Sequence, residues 1–329
     1  MFHKALWLQN YKQSKMLVWI FAIIFAVHLP FQTMITLENW REYPYMYSNS
    51  TYEVYRLFIG GTLPVFILFA SAIFAGLLIG IERNTRRNDF TFSLPFKRRD
   101  IFLAKWIYGV LIIATLHAVT FFTAYAIVAT SEFASRLGSF TLTELFLTPL
   151  LGYILFFSFA MLIGTIAGEM ITQVVLTFIF AIFPYGAFVL IGYLADLHFG
   201  FNWNPPLWLA YVSPLLFAFV NPAEELANPV LLGIIWIAAT LLGGFLLYER
   251  NKVEHNGEFL IFKQLHPVFL VGIVACFALL GGMIVSAIVP WGMTDFQITA
   301  YWLGFAVFTI FSFLIARRLL KMNVMVKNK

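Results

Sequence analysis

The chain has 329 residues, 61% of them hydrophobic and only 11% charged, with a mean hydropathy of +0.85 and a formal net charge of +5. A soluble domain needs a polar surface, and there is too little polar material here to make one, so the composition places the chain among integral membrane proteins. The single cysteine, Cys276, lies inside an apolar run, which excludes an internal disulfide and reads as a packed membrane residue.

A bilayer core takes about 20 apolar residues per helix, and the charge-free runs supply eight such spans. Residues 1–15 carry Lys4, Lys12 and Lys15 among Phe2, Leu6, Trp7, Leu8 and Tyr11. They predict an interfacial segment ahead of the first span, although the apolar residues do not gather into one clean stripe. No small-residue cleavage site follows the first apolar run, so 16–37, with His28 and Pro30 in its second half, is expected to stay as a helix. Residues 38–56 are polar and tyrosine-rich, and their Asn49-Ser50-Thr51 sequon reads as a chance match. The second span is 57–81, the third 106–131 and the fourth 145–168. Only Gly168-Glu169-Met170 separates the fourth from the fifth, 171–195, so the two form a tight antiparallel hairpin. Residues 196–229 are apolar but broken by Pro205, Pro206, Pro214, Pro222 and Pro229. Proline removes a backbone donor and clashes with the preceding turn, so this stretch predicts a re-entrant or surface-lying helical piece on the outer side. The sixth span is 230–248; a polar stretch, 249–267, precedes a last pair, 268–294 and 296–316, and a basic tail, 317–329.

Charge orients this layout. With both ends on one side, that side holds 18 Lys and Arg, against Arg41, Arg56 and Arg136 on the other, and nine of the 16 acids lie with those three. By the positive-inside rule both termini are cytoplasmic.

The loop 82–105 is the one long, densely charged segment, holding seven of the 21 Lys and Arg: Arg83, Arg86, Arg87, Lys97, Arg98, Arg99 and Lys105. Phe90, Phe92, Leu94-Pro95 and Phe96 lie among them, which makes it more than a tether. Glu82-Arg83-Asn84 recurs as Glu249-Arg250-Asn251 after the sixth span, but three residues at a helix end are too few to carry a duplication.

Several chemistries are excluded. There is no His-Glu-x-x-His, no Gly-x-Ser-x-Gly and no Gly-x-x-x-x-Gly-Lys-[Ser/Thr]. Glu224-Glu225 lacks an arginine four positions on, and the six histidines include no pair at helical i,i+3 or i,i+4 spacing, which argues against a helical metal site. Ion-coupled carriers place ionisable groups at mid-membrane. Here Glu169 and Asp196 sit at span ends, and His28 and His117 read as packing or boundary groups. The nearly uncharged, aromatic spans suit an amphiphilic cargo and equally suit packing against lipid.

Glu82-Arg83-Asn84, Thr91-Phe92-Ser93-Leu94-Pro95-Phe96-Lys97-Arg98, Ile101-Phe102 and Lys105 resemble the ABC-2 type permease pattern. In that pattern a glutamate ends the second span, Leu-Pro-x-x-Arg follows and a lysine opens the third. The segment Tyr248-Glu249-Arg250 through Glu254, and Gly257 to Pro267, is similar to the Ytr-like subgroup of Gram-positive bacteria. The resemblance implies an all-α polytopic protein of a bacterial cell membrane: a six-span exporter unit over 16–249, an added stretch and helix pair over 250–316, and an elbow helix at 1–15. It implies a permease subunit without catalytic residues of its own, binding no cofactor and no nucleic acid. ATP and Mg would be handled by a separate ATPase chain, and a second permease, a copy or a paralogue, would complete the transporter. The coupling loop then comprises Glu82, Arg86, Arg87, Phe90, Leu94, Pro95, Arg98, Asp100 and Lys105. Asn88 or Asp89 caps a short helix that Pro95 ends. Phe90 and Leu94, four apart, share its face toward the ATPase, ringed by Arg86, Arg87 and Arg98, and Asp100 caps the third span. Two rival readings stay open: a membrane scaffold or sensor relaying an envelope signal, and a loop whose arginines merely sit at anionic headgroups.

Overall fold

The structure is a computed structural model that describes residues 4–85, 95–201, 204–222, 227–251, 257–290 and 292–321. Among the described residues eight helical segments are long and apolar enough to cross a membrane, the number the charge-free runs predict.

Helix α1 (Lys4–Ala26) passes through a π turn at Val27–Phe31 into α2 (Gln32–Glu42). The π turn holds Pro30, whose missing N–H interrupts a regular ladder and is accommodated by the wider turn. No turn separates the basic first fifteen residues from the span that follows: α1 runs unbroken from Lys4, burying Leu6, Leu17, Phe21 and Phe25 in the core. Helix α3 (Ser50–Phe58) starts where the Asn49 side chain accepts from the Tyr52 N–H at 3.1 Å, so the asparagine of the sequon is a helix cap. The chain then breaks over 59–62, where Gly61 has φ +87°, and resumes as α4 (Leu63–Leu78) and the short α5 (Gly80–Asn84). Helices α6 (Arg98–Ala129) and α7 (Leu142–Ile166) follow, α7 opening on a capping box between Thr141 and Glu144. Helix α8 (Met170–Phe199) ends on Gly200 in the left-handed conformation.

The proline-rich stretch after α8 folds as two short helices, α9 (Trp208–Val212) and α10 (Pro214–Phe217), broken at Ser213-Pro214. Residues before proline are driven out of the α region. Helix α10 packs on α7 and α8, and a Cβ on Gly152 of α7 would come within 2.5 Å of the Ala218 Cα. Helix α11 (Pro229–Glu249) and the hairpin of α12 (His266–Ser286) and α13 (Thr294–Leu319) complete the chain.

The centre of the molecule is α7. In its most apolar stretch 72% of residues are buried, against 17% in α8, α11 and α13, and it packs on α4, α6, α8 and α11. Aromatic rings fill the space around it: Phe157 lies tilted against Phe74, ring centroids 5.7 Å apart, and a Cβ on Gly109 of α6 would meet the Phe157 ring at 2.1 Å. With no hydrophobic difference between lipid tails and leucine, such close, small-residue contacts hold spans together. The exposed apolar faces of α8 (Ile171, Val175, Ile179), α11 (Leu231, Ile234, Ile235) and α13 (Ile310, Phe311, Leu314) are the lipid-facing complement. The α12–α13 pair docks on α8 and is closed tightly by glycine: a Cβ on Gly304 would lie 2.4 Å from the Gly281 carbonyl oxygen.

Candidate coupling site

The two roots of the charged loop are pinned to the rest of the molecule. Helix α4 ends at Leu78, and α5 turns Glu82 and Arg83 inward, where their exposures fall to 1% each. Lys105, on the second turn of α6 and 2% exposed, places its Nζ 2.6 Å from Glu82 Oε2 and 2.6 Å from the Leu78 carbonyl oxygen, to which it donates. Gln9 on α1 donates to Glu82 Oε1 at 3.3 Å. Buried ions persist only when paired and hydrogen-bonded, and here one carboxylate serves α1, α5 and α6 together.

Arg83 points the other way. Its Nη1 donates to the carbonyls of Gly164 and Ala167 at the C-terminal end of α7. Those carbonyls lack intrahelical partners and carry the negative end of the helix dipole, so a cation belongs there. Burial lowers the Arg83 guanidinium to about 10, and the neighbouring Tyr248 and Glu82 oppose the shift. It therefore stays a cation at neutral pH. Asn84 Oδ1 accepts from the Met170 N–H at 3.2 Å, capping α8 in place of Glu169, which caps nothing and instead accepts from Thr172 Oγ1 at 2.8 Å.

The second root is held by α11. Arg98 donates through Nη1 to the carbonyls of Glu249 (3.2 Å) and Asn251 (2.5 Å), and Arg99 forks onto both Glu249 carboxylate oxygens at the surface. With its amide oriented to suit its neighbours, buried Asn251 donates to the Thr165 carbonyl at 2.9 Å and accepts from Arg83 Nη2 at 2.7 Å. Asn251 thus joins the two roots. Beyond it, residues 257–261 lie antiparallel to the turn between α7 and α8: Ile261 N–H donates to the Ile166 carbonyl and Gly257 N–H to the Gly168 carbonyl, both at 2.9 Å. Gly168 is required by this approach, because a Cβ there would lie 1.9 Å from the Glu258 carbonyl oxygen.

Of the residues predicted for the coupling loop, Glu82 and Lys105 meet as a buried pair, and Arg98 donates to the carbonyls of Glu249 and Asn251; the apolar pair it is expected to ring lies outside the described residues. Pro95 is exposed in the bend before α6. Asp100 is the third residue of α6, inside the helix and not at its cap, which is Lys97 with no side-chain bond; its charge still lies against the positive helix end. Arg86, Arg87, Phe90, Leu94 and the capping pair Asn88 and Asp89 lie outside the described residues. Sequence reasoning missed Gln9, Asn84, Arg99, Glu249 and Asn251. The signal for three of them was the twin Glu-Arg-Asn, whose two copies converge on this one place. No group of histidine, cysteine and carboxylate side chains able to hold a metal occurs among the described residues. The first root is thus tied to α1, α6, α7 and α8 and the second to α11, with Asn251 between them.

Comparison with curated proteins bears on this geometry. The chain is 26% identical over 204 residues to a protein of Bacillus subtilis named "Probable ABC transporter permease YtrD". By that name, the similarity is to an ABC transporter permease. A second protein of that organism, "Probable ABC transporter permease YtrC", is 25% identical over 228 residues. The matches cover 60% and 64% of this chain and span less than two thirds of each relative, 61% and 66% of their lengths. No family model matches. No solved structure matches. With these relatives and eight apolar helices, the chain is a multi-pass protein of the cell membrane.

Proposed function

We propose that the chain is the permease subunit of an ABC transporter, working as an exporter, with ATP and Mg bound by a separate ATPase chain and a second permease beside it. The observation that carries this reading is the double clamp: Glu82, Arg83 and Asn84 on one side of residues 86–94, and Arg98 and Arg99 on the other, each tied to different spans. A segment anchored at both roots to five helices is built to pass a push into the membrane. In this reading Phe90 and Leu94 enter a groove on the ATPase, Arg86 and Arg87 flank them, and the basic end of the molecule, with both termini, faces the cytoplasm. Closure of the ATPases on ATP displaces the loop, and the clamp turns that displacement into rigid-body tilts of the spans. The span pair α12–α13, which packs chiefly on α8, is an addition to the six-span unit.

The test is co-purification from the native membrane. The solubilised wild-type chain retains an ATPase bearing a Walker phosphate-binding loop; Phe90→Ala/Leu94→Ala elutes as a monodisperse chain and loses it. If the double variant keeps the ATPase, the docking role of the loop is overturned. If the wild type brings down no ATPase, the transporter reading falls and the scaffold or sensor reading replaces it.

A further inference from the structure

Helix α4 runs from the charged clamp at Leu78 to a polar cavity at Leu63, about 22 Å away at the usual helical rise. The cavity, of about 120 Å³, opens between the π turn joining α1 to α2 and the broken segment joining α3 to α4. Two spans are thus irregular at the same place and face each other. Non-helical backbone at membrane depth is tolerated where it is buried in protein or lines a polar cavity.

The lining is polar by design of the helix face. His28, Gln32, Thr36 and Asn39 recur at helical spacing along one side of α1–α2, while Phe31, Met34 and Ile35 are exposed on the other. The side chains of Gln32, Thr36 and Asn39 make no hydrogen bond to any described residue. Across the cavity stand Glu53, 6% exposed, and Arg56, one turn further along α3. Trp40 Nε1 donates to Glu53 Oε2 at 3.3 Å, yet neither Glu53 nor Arg56 forms an ion pair with any described residue, not even with the other. A buried carboxylate with no cation is costly. Placed beside an uncommitted guanidinium, it asks for a ligand that brings both charges.

Size and surroundings narrow the ligand. The volume equals about four water molecules and is well below the roughly 300–1,000 Å³ of sites that enclose a whole drug-sized molecule, so it takes a headgroup. From Thr62 on the rim, Phe66 and Phe69 follow at helical spacing and are exposed, an apolar track leading away from the polar mouth. We infer that this cavity binds the zwitterionic headgroup of an amphiphile: its ammonium against Glu53, its phosphate or carboxylate against Arg56, and its apolar chains along α4. The inference is independent of the proposed ATPase coupling.

The test is native mass spectrometry of the purified full chain with three probes: dioleoyl-phosphatidylethanolamine, dioleoyl-phosphatidylglycerol and the water-soluble glycerophosphoethanolamine. The wild type is expected to retain the ethanolamine lipid about tenfold over the glycerol lipid, the effect of one charge-assisted contact. Glu53→Gln, which keeps an acceptor for Trp40, abolishes that preference, and Arg56→Gln, at an exposed position, weakens both lipids. Retention of the soluble probe as strong as that of the lipid assigns the site to a free zwitterion; retention of the lipid alone assigns it to a membrane amphiphile. Equal retention of the two lipids by the wild type, or unchanged preference in Glu53→Gln with an unchanged melting temperature, overturns the inference.

Discussion

Glu82 and Lys105 close the loop between them with one ion pair, and their energetics follow from burial. Removing one partner leaves the other charge in a dry site, so Glu82→Gln or Lys105→Met alone should cost about 3–5 kcal/mol. The double variant should cost much less than the sum of the two, because no charge is stranded. Thermal unfolding of the four proteins in one detergent checks the sign and size of that coupling. Both residues were legible as charges at the edges of the loop, since they stand out in an apolar chain. Their pairing was not, nor was the part played by Asn251, since the repeated Glu-Arg-Asn marks the residue but names none of its partners. An amide that satisfies a carbonyl and a guanidinium from distant segments does so through contacts that no local pattern spells out. The stripe His28, Gln32, Thr36, Asn39 was open to view at helical spacing. Three of these four side chains are neutral, so the stripe does not stand out by charge.

Among the elements, the eight spans were legible because a bilayer demands length and apolarity, which a sequence states directly. Interruptions inside spans were harder to see. Proline marked α9 and α10 in advance, whereas the break at 59–62 rests on Gly60-Gly61 within an apolar run that otherwise reads as continuous helix. The strap 257–261 is another element that sequence could not place, since its partner is the three-residue turn after α7. Gly168→Ala tests it. The added methyl has no room against the Glu258 carbonyl, and overpacking of this kind costs about 1–3 kcal/mol. Faster hydrogen exchange at Gly257 and Ile261, with α7 still protected, is the expected result.

At the scale of the whole molecule two polar sites lie at opposite ends of an apolar body. The clamp gathers the basic loop, the turn after α7 and the end of α11; the cavity gathers the breaks in the first two spans. Helix α4 belongs to both, so under the proposed function it is the element that links the ATPase to the proposed amphiphile site. What touches residues 86–94 in the living cell decides whether the loop couples to an ATPase. A photoreactive phenylalanine analogue replacing Phe90 tests this directly, with the lipid-facing Phe66 as control. Illumination of the native membrane should yield a protein adduct at 90, identified by its peptides as a Walker-bearing ATPase, and none at 66. Adducts at 90 with lipid alone, or with a protein lacking that phosphate-binding loop, would contradict the account.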